Sequence, residues 1–161
     1  MSIESIFRPL EKLLALHQSL YELSLQKTTL IKEGLIDELQ QILVKERKIA
    51  QSVESTEKIR HKAVIEWMES QETRKDGTIT ELLNLVSSKN DRDKLAHLST
   101  HLTEEITKLK HNEQLNQALL EQSLQFVKVS LDLMNPSLKN MNYGKQSESY
   151  SNKRSMFDSK A

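Results

Sequence analysis

The sequence predicts an all-α fold: an elongated antiparallel bundle of three long helices plus a short helix, with a flexible C-terminal tail. Three observations predict it. Apolar residues recur at three- and four-residue steps along most of the chain. Glycine occurs only at Gly34, Gly77 and Gly144, and no proline lies between Pro9 and Pro136, so the chain has few places to reverse. The 37% apolar and 4% aromatic content is lean for a thick globular core in 161 residues, and it suits a thin bundle. Residues 1–134 are therefore read as the helical bundle and 135–161 as a tail that is disordered or ordered by a partner.

The first helix is expected from about Ser5 to about Lys32, carrying Ile6, Phe7, Leu10, Leu13, Leu14, Leu20, Tyr21 and Ile31, with Pro9 in its first turn or kinking it. Gly34 breaks the pattern. Asp37 and Glu38 then place negative charge in the opening turn of a second helix that runs to about Ser70, where the helix dipole favours it. The second helix carries Leu39, Ile42, Leu43, Ile49, Ala50, Val53, Val64, Trp67 and Met68. Thr78-Ile79-Thr80-Glu81 reads as a capping box ahead of a short helix with Leu82, Leu83 and Val86, placed as a lid on the bundle. Asn90 or a polar neighbour caps the third long helix, and Asn135-Pro136 ends it. The tail holds six serines and four asparagines among 27 residues, a composition that does not order by itself.

Charge and composition exclude several functions. Lysine plus arginine equals aspartate plus glutamate at 23 each, leaving no net field to recruit nucleic acid or anionic lipid. The absence of cysteine excludes disulfides, thiolate catalysis and cysteine-based metal sites. The start, Met1-Ser2-Ile3-Glu4-Ser5, lacks the basic and apolar regions of a secretory leader, and no run approaches a membrane span. A soluble cytoplasmic protein is expected.

Projected at about 100° per residue, Leu95, Leu98, Leu102, Ile106, Leu109, Leu120, Leu124, Val127, Leu131 and Met134 of the third helix fall in one arc of about 80°, read as the core face. After Gln114 a second stripe appears, Leu115, Leu119, Phe126, Val129 and Leu133, centred well over 100° away. One helix face cannot bury both. The second stripe closes one end of the bundle, pairs with a second copy, or binds a partner's amphipathic helix. Glu46, Glu57 and Arg60 on the second helix, with Glu113 and Asn116 on the third, project to core sides and read as a polar layer that specifies register. His97 and His101 stand four apart near Glu104 and Glu105, but no zinc motif surrounds them and they read as surface residues. No phosphate loop, nucleophile elbow or catalytic constellation is present, so no enzyme is expected.

The segment Asn116-Gln117-Ala118-Leu119-Leu120-Glu121-Gln122-Ser123-Leu124, followed by a proline-terminated helix and Tyr143-Gly144, resembles the C-terminal pattern of FlgN-type flagellar export chaperones. Leu30-Ile31 with Gly34 and Leu39 resembles that family's first helical turn, Glu57 with Arg60 its Glu-x-x-Arg, and Phe157-Asp158-Ser159-Lys160-Ala161 the ends of some members. One spacing differs: members often carry two asparagines three apart, whereas Asn112 and Asn116 are four apart. The resemblance implies a cytosolic chaperone that covers the terminal helices of hook–filament junction subunits and delivers them to the membrane gate of the flagellar type III export apparatus. It implies no cofactor or nucleotide. Leu115, Leu119, Phe126, Val129 and Leu133 become the client contacts, and Tyr143 a candidate docking residue for the cytoplasmic domain of the gate. Three alternatives remain: a self-associating coiled-coil structural or adaptor protein that dimerises through the second stripe, a metal-dependent bundle enzyme, and a chaperone for another flagellar subunit.

Overall fold

The computed structural model describes residues 2–73 and 76–134, which form four helices and, among the described residues, no strand. They are α1 (Glu4–Glu33), α2 (Ile36–Ser70), α3 (Ile79–Leu85) and α4 (Lys89–Met134). The expected tail lies outside the described residues, as does Tyr143. The chain divides into two compact units, Met1–Leu119 and Leu120–Ala161.

Local chemistry sets the helix boundaries in the first unit. Gly34 ends α1 in the left-handed region at φ 70°, with its N–H donating to the Ile31 carbonyl at 3.2 Å and the Leu35 N–H to the Leu30 carbonyl at 3.0 Å. This pair of bonds satisfies two carbonyls that the helix end would otherwise orphan. Glu72 does the same after α2 at φ 55°, with Thr73 donating to the Met68 carbonyl. The Thr78 capping box opens α3. The Glu81 N–H donates to Thr78 Oγ1 at 3.3 Å, and Glu81 Oε2 accepts from the N–H groups of Thr78 and Gly77 at 3.3 and 3.0 Å. Ser88, rather than Asn90, takes the capping position before α4, its hydroxyl accepting from the Asp91 N–H at 3.4 Å. Pro9 sits buried inside α1 beyond its first turn.

The apolar core draws on all four helices. Ile6, Phe7 and Leu10 of α1 meet Ala63, Val64, Trp67 and Met68 of α2, Leu82 of α3 with Val86 just after it, and Leu95 and Leu98 of α4. Phe7, Leu82 and Leu95 are at most 1% exposed, so α3, though short, is fixed by a side chain with no solvent contact. Gly77 sits tight against this core: a Cβ there would lie 2.9 Å from Val64 Cγ1.

Ion pairs set direction. Lys94 of α4 meets Glu11 of α1 at 3.0 Å, and farther along both helices Lys27 meets Glu113 at 2.8 Å. Helices α1 and α4 therefore run the same way, with α2 returning between them in sequence. Partners differ by 83 residues at the first pair and 86 at the second, so α1 ends at a register matching the neighbourhood of Leu119 and Leu120.

The exposure along α4 corrects one expectation. The single core face read along α4 is buried at Leu95 and Leu98, whereas Ile106 is 42% exposed, Leu120 42%, Leu124 69%, Val127 52%, Leu131 56% and Met134 83%. The periodicity is present, but a stripe of apolar residues does not by itself supply a neighbour to cover it. In α2, Leu43 and Ala50 are likewise exposed, and the buried set instead includes Thr56.

Candidate partner-binding site

Two features of α4 are candidates for function, one in each unit. In the first unit, the expected polar layer is built from α1, α2 and α4. Asn116 is 2% exposed. Its Nδ2 donates to the Ser24 carbonyl at 2.9 Å and to Ser24 Oγ at 3.3 Å, while Oδ1 accepts from Thr28 Oγ1 at 2.5 Å. Asn112 joins it, donating to Ser24 Oγ at 2.8 Å and Thr28 Oγ1 at 3.1 Å. Beside this cluster Lys27 Nζ bridges Glu46 of α2 at 2.9 Å and Glu113 of α4 at 2.8 Å. The Lys27 side chain is 9% exposed, so these two carboxylates replace the water its ammonium has lost. Burial alone lowers the Lys27 pKa, but the hydrogen bonds and charges of Glu113 and Glu46 outweigh it and hold the ammonium above its ordinary value.

Glu57 and Arg60 lie elsewhere. They pair with each other along α2, three residues apart, with the Glu57 side chain 49% exposed, and they join no helix to another. The Arg60 guanidinium lowers the Glu57 carboxyl pKa. The missing members of the interhelical layer are Ser24, Lys27 and Thr28. Their signal was present in the sequence: on the α1 wheel Ser24 and Thr28 fall within the arc of Leu10, Leu13 and Ile31 and Lys27 borders it about 40° away, polar side chains in and beside an apolar stripe.

In the second unit, the described residues Leu120–Met134 expose apolar side chains on two sides. Phe126 is 72% exposed, Val129 47% and Leu133 78%; on the other side are Leu124 and Leu131. A soluble helix ordinarily hides one apolar stripe, and here neither is hidden. Of the remaining second-stripe residues, Leu115 is 46% exposed and Leu119 half-buried, and both belong to the first unit. Between the two apolar arcs run Ser123 and Ser130, and opposite them lies a polar arc with Gln125, Lys128 and Asp132.

The remaining candidates offer less chemistry. The His97 and His101 rings stack at 4.3 Å, and among the described residues no group of three or more histidines, cysteines or acids is placed to hold a metal ion. Arg60, His61, Glu69 and Met68 line an open recess on α2, with no nucleophile and base in contact. Among the described residues no helix is long and apolar enough to cross a membrane.

Comparison with known proteins places this architecture. A protein of Bacillus subtilis (strain 168) described as "Uncharacterized protein YvyG" is 33% identical over 164 residues, spanning 100% of each chain. No solved structure matches. A family model described as "FlgN protein" matches residues 1–150, covering α1 to α4, and the chain belongs to the FlgN family.

Proposed function

We propose that this chain is a cytosolic export chaperone that binds hook–filament junction subunits and delivers them to the flagellar type III export gate. FlgN family membership supports the general flagellar chaperone role. The single observation that carries the binding surface is the exposure of Phe126 at 72% and Leu133 at 78% on a helix whose opposite side is also apolar. Water against such side chains costs about 25 cal/mol per Å², and an amphipathic client helix removes that cost from both molecules at once. Phe126, Val129 and Leu133 are the contacts in the second unit, and Leu115 and Leu119 those in the first. Covering a client's apolar helix in this way keeps it from pairing with other subunits before assembly. Binding and release need no cofactor or nucleotide. Tyr143, outside the described residues, is the candidate contact for the gate's cytoplasmic domain.

The test is the double substitution Phe126→Asp plus Leu133→Asp. Both positions face solvent, so helix content and thermal unfolding should stay nearly unchanged while binding of a purified hook–filament junction subunit is abolished. Retained binding would refute the assignment, and a collapse of helix content would place the two residues in a core.

A further inference from the structure

We infer that the end of α4 takes two amphipathic helices of its client at once, one on each apolar side, with the serine seam between them. The inference rests on the chaperone reading above and specifies its mode. At about 100° per residue, Leu124, Val127 and Leu131 centre one arc and Phe126, Val129 and Leu133 another, with centres about 160° apart. Together the arcs and the seam span about 220° of the helix circumference, with Gln122 interrupting the second arc, and the side of Gln125, Lys128 and Asp132 is polar throughout. The first unit supplies the scale. There Leu95, Leu98, Glu105, Asn112 and Asn116 of α4 occupy an arc of about 100°, and α1 and α2 share the task of covering α4. A surface twice as wide is not covered by one helix.

The sequence pattern points the same way. Leu124 and Leu131 project to the same helical side as Leu95, a residue that α4 commits to the core of the first unit, so the second unit repeats a pattern suited to receiving helices. The occupant then repeats the arrangement of the first unit: two helices against one, meeting over the small side chains Ser123 and Ser130, which let them approach closely. Roughly 900 Å² of apolar side chain is exposed on Leu120–Met134, above the 300–600 Å² patch of an ordinary monomer and enough for one side of a specific interface.

The chain has no cysteine, which makes the test direct. Full-length single-cysteine variants Val127→Cys, Val129→Cys and Gln125→Cys sample the two apolar arcs and the polar arc. Their thiol-labelling rates are compared with and without a saturating purified hook–filament junction subunit. The expected result is at least a tenfold slowing at both Val127→Cys and Val129→Cys, with Gln125→Cys labelled at its free rate. Slowing at only one of the two valine positions would overturn the two-helix mode while leaving the chaperone reading intact. Absence of any binding between the unsubstituted chain and the subunit in a calorimetric titration would remove the chaperone reading itself, and this inference with it. Protection already present in the free chain, relieved by dilution or by deleting residues 135–161, would assign the surface to a second copy or to the chain's own C-terminal segment and would also overturn the inference.

Discussion

Replacing Asn116 with alanine tests whether the polar layer joins α1 to α4 in solution. The side chain is 2% exposed and makes three interhelical contacts, to the Ser24 carbonyl, Ser24 Oγ and Thr28 Oγ1. A net contribution of about 1 kcal/mol per hydrogen bond would give about 3 kcal/mol. Two partners have substitutes, however. Thr28 Oγ1 lies 3.1 Å from the Ser24 carbonyl, and Ser24 Oγ keeps Asn112 at 2.8 Å. Only part of the desolvation penalty is then exposed, and the vacated volume adds a cavity term, so the expected loss is about 2 kcal/mol. Urea unfolding followed by circular dichroism reads this as a lower midpoint at unchanged slope. Asn116→Ala in a Ser24→Ala background should cost about 1 kcal/mol less than in the native background, because the two residues share their bonds. A single-mutant loss below about 0.5 kcal/mol, or strict additivity, would mean that water already competes for these groups and would refute the layer as a structural joint.

The two glycines separate backbone strain from packing. Gly34→Ala meets nothing within 4 Å, so its cost is the left-handed φ alone, about 1 kcal/mol, whereas Gly77→Ala adds a 2.9 Å approach to Val64 Cγ1 and should cost about 2–3 kcal/mol. Equal urea midpoints for the two variants would show that Val64 gives way freely. Lys27 supplies a pH signature: its pKa is raised in the folded state, so its stabilisation is complete below the unfolded value of about 10.4 and is lost as pH rises through the folded value. Unfolding midpoints of the native chain relative to Lys27→Met should therefore differ by a constant amount from pH 7 to about 10 and converge above it. A difference that grows with alkalinity would reverse the sign of the argument.

Much of the fold was legible because its signals are local. Gly34 needs only its own φ to end α1, and Thr78 with Glu81 forms its capping box within one turn. The burial of α4 was not legible past Leu102, because a helical stripe records what a face could bury and not whether a neighbour reaches it. Leu124 and Leu131 are patterned like Leu95 and Leu98, yet the first two are exposed and the second two buried. The polar layer divides similarly. Asn116, Glu46 and Glu113 stood out as polar residues on apolar faces, but their mates Ser24, Lys27 and Thr28 required knowing which helix lies opposite. Glu57 and Arg60 carried the same sequence signal, yet their i,i+3 spacing lets each satisfy the other without leaving α2.

The register has a physical guarantor, and it is the charged group more than the asparagines. Asn112 and Asn116 are four residues apart, as are Ser24 and Thr28, so sliding α4 by one helical turn along α1 would still set an amide against a hydroxyl. Hydrogen bonding alone would discriminate weakly between the two alignments. Lys27 discriminates strongly: the same slide would place Leu109 or Gln117 where Glu113 stands, leaving a nearly buried ammonium with one carboxylate in place of two. Losing a partner from a buried ion pair costs several kcal/mol, far more than the difference between two amide–hydroxyl contacts. The alignment that keeps Glu113 on Lys27 is therefore also the one that sets Asn112 and Asn116 against Ser24 and Thr28, and the charged group and the amides together hold α1 and α4 of the first unit in a single register.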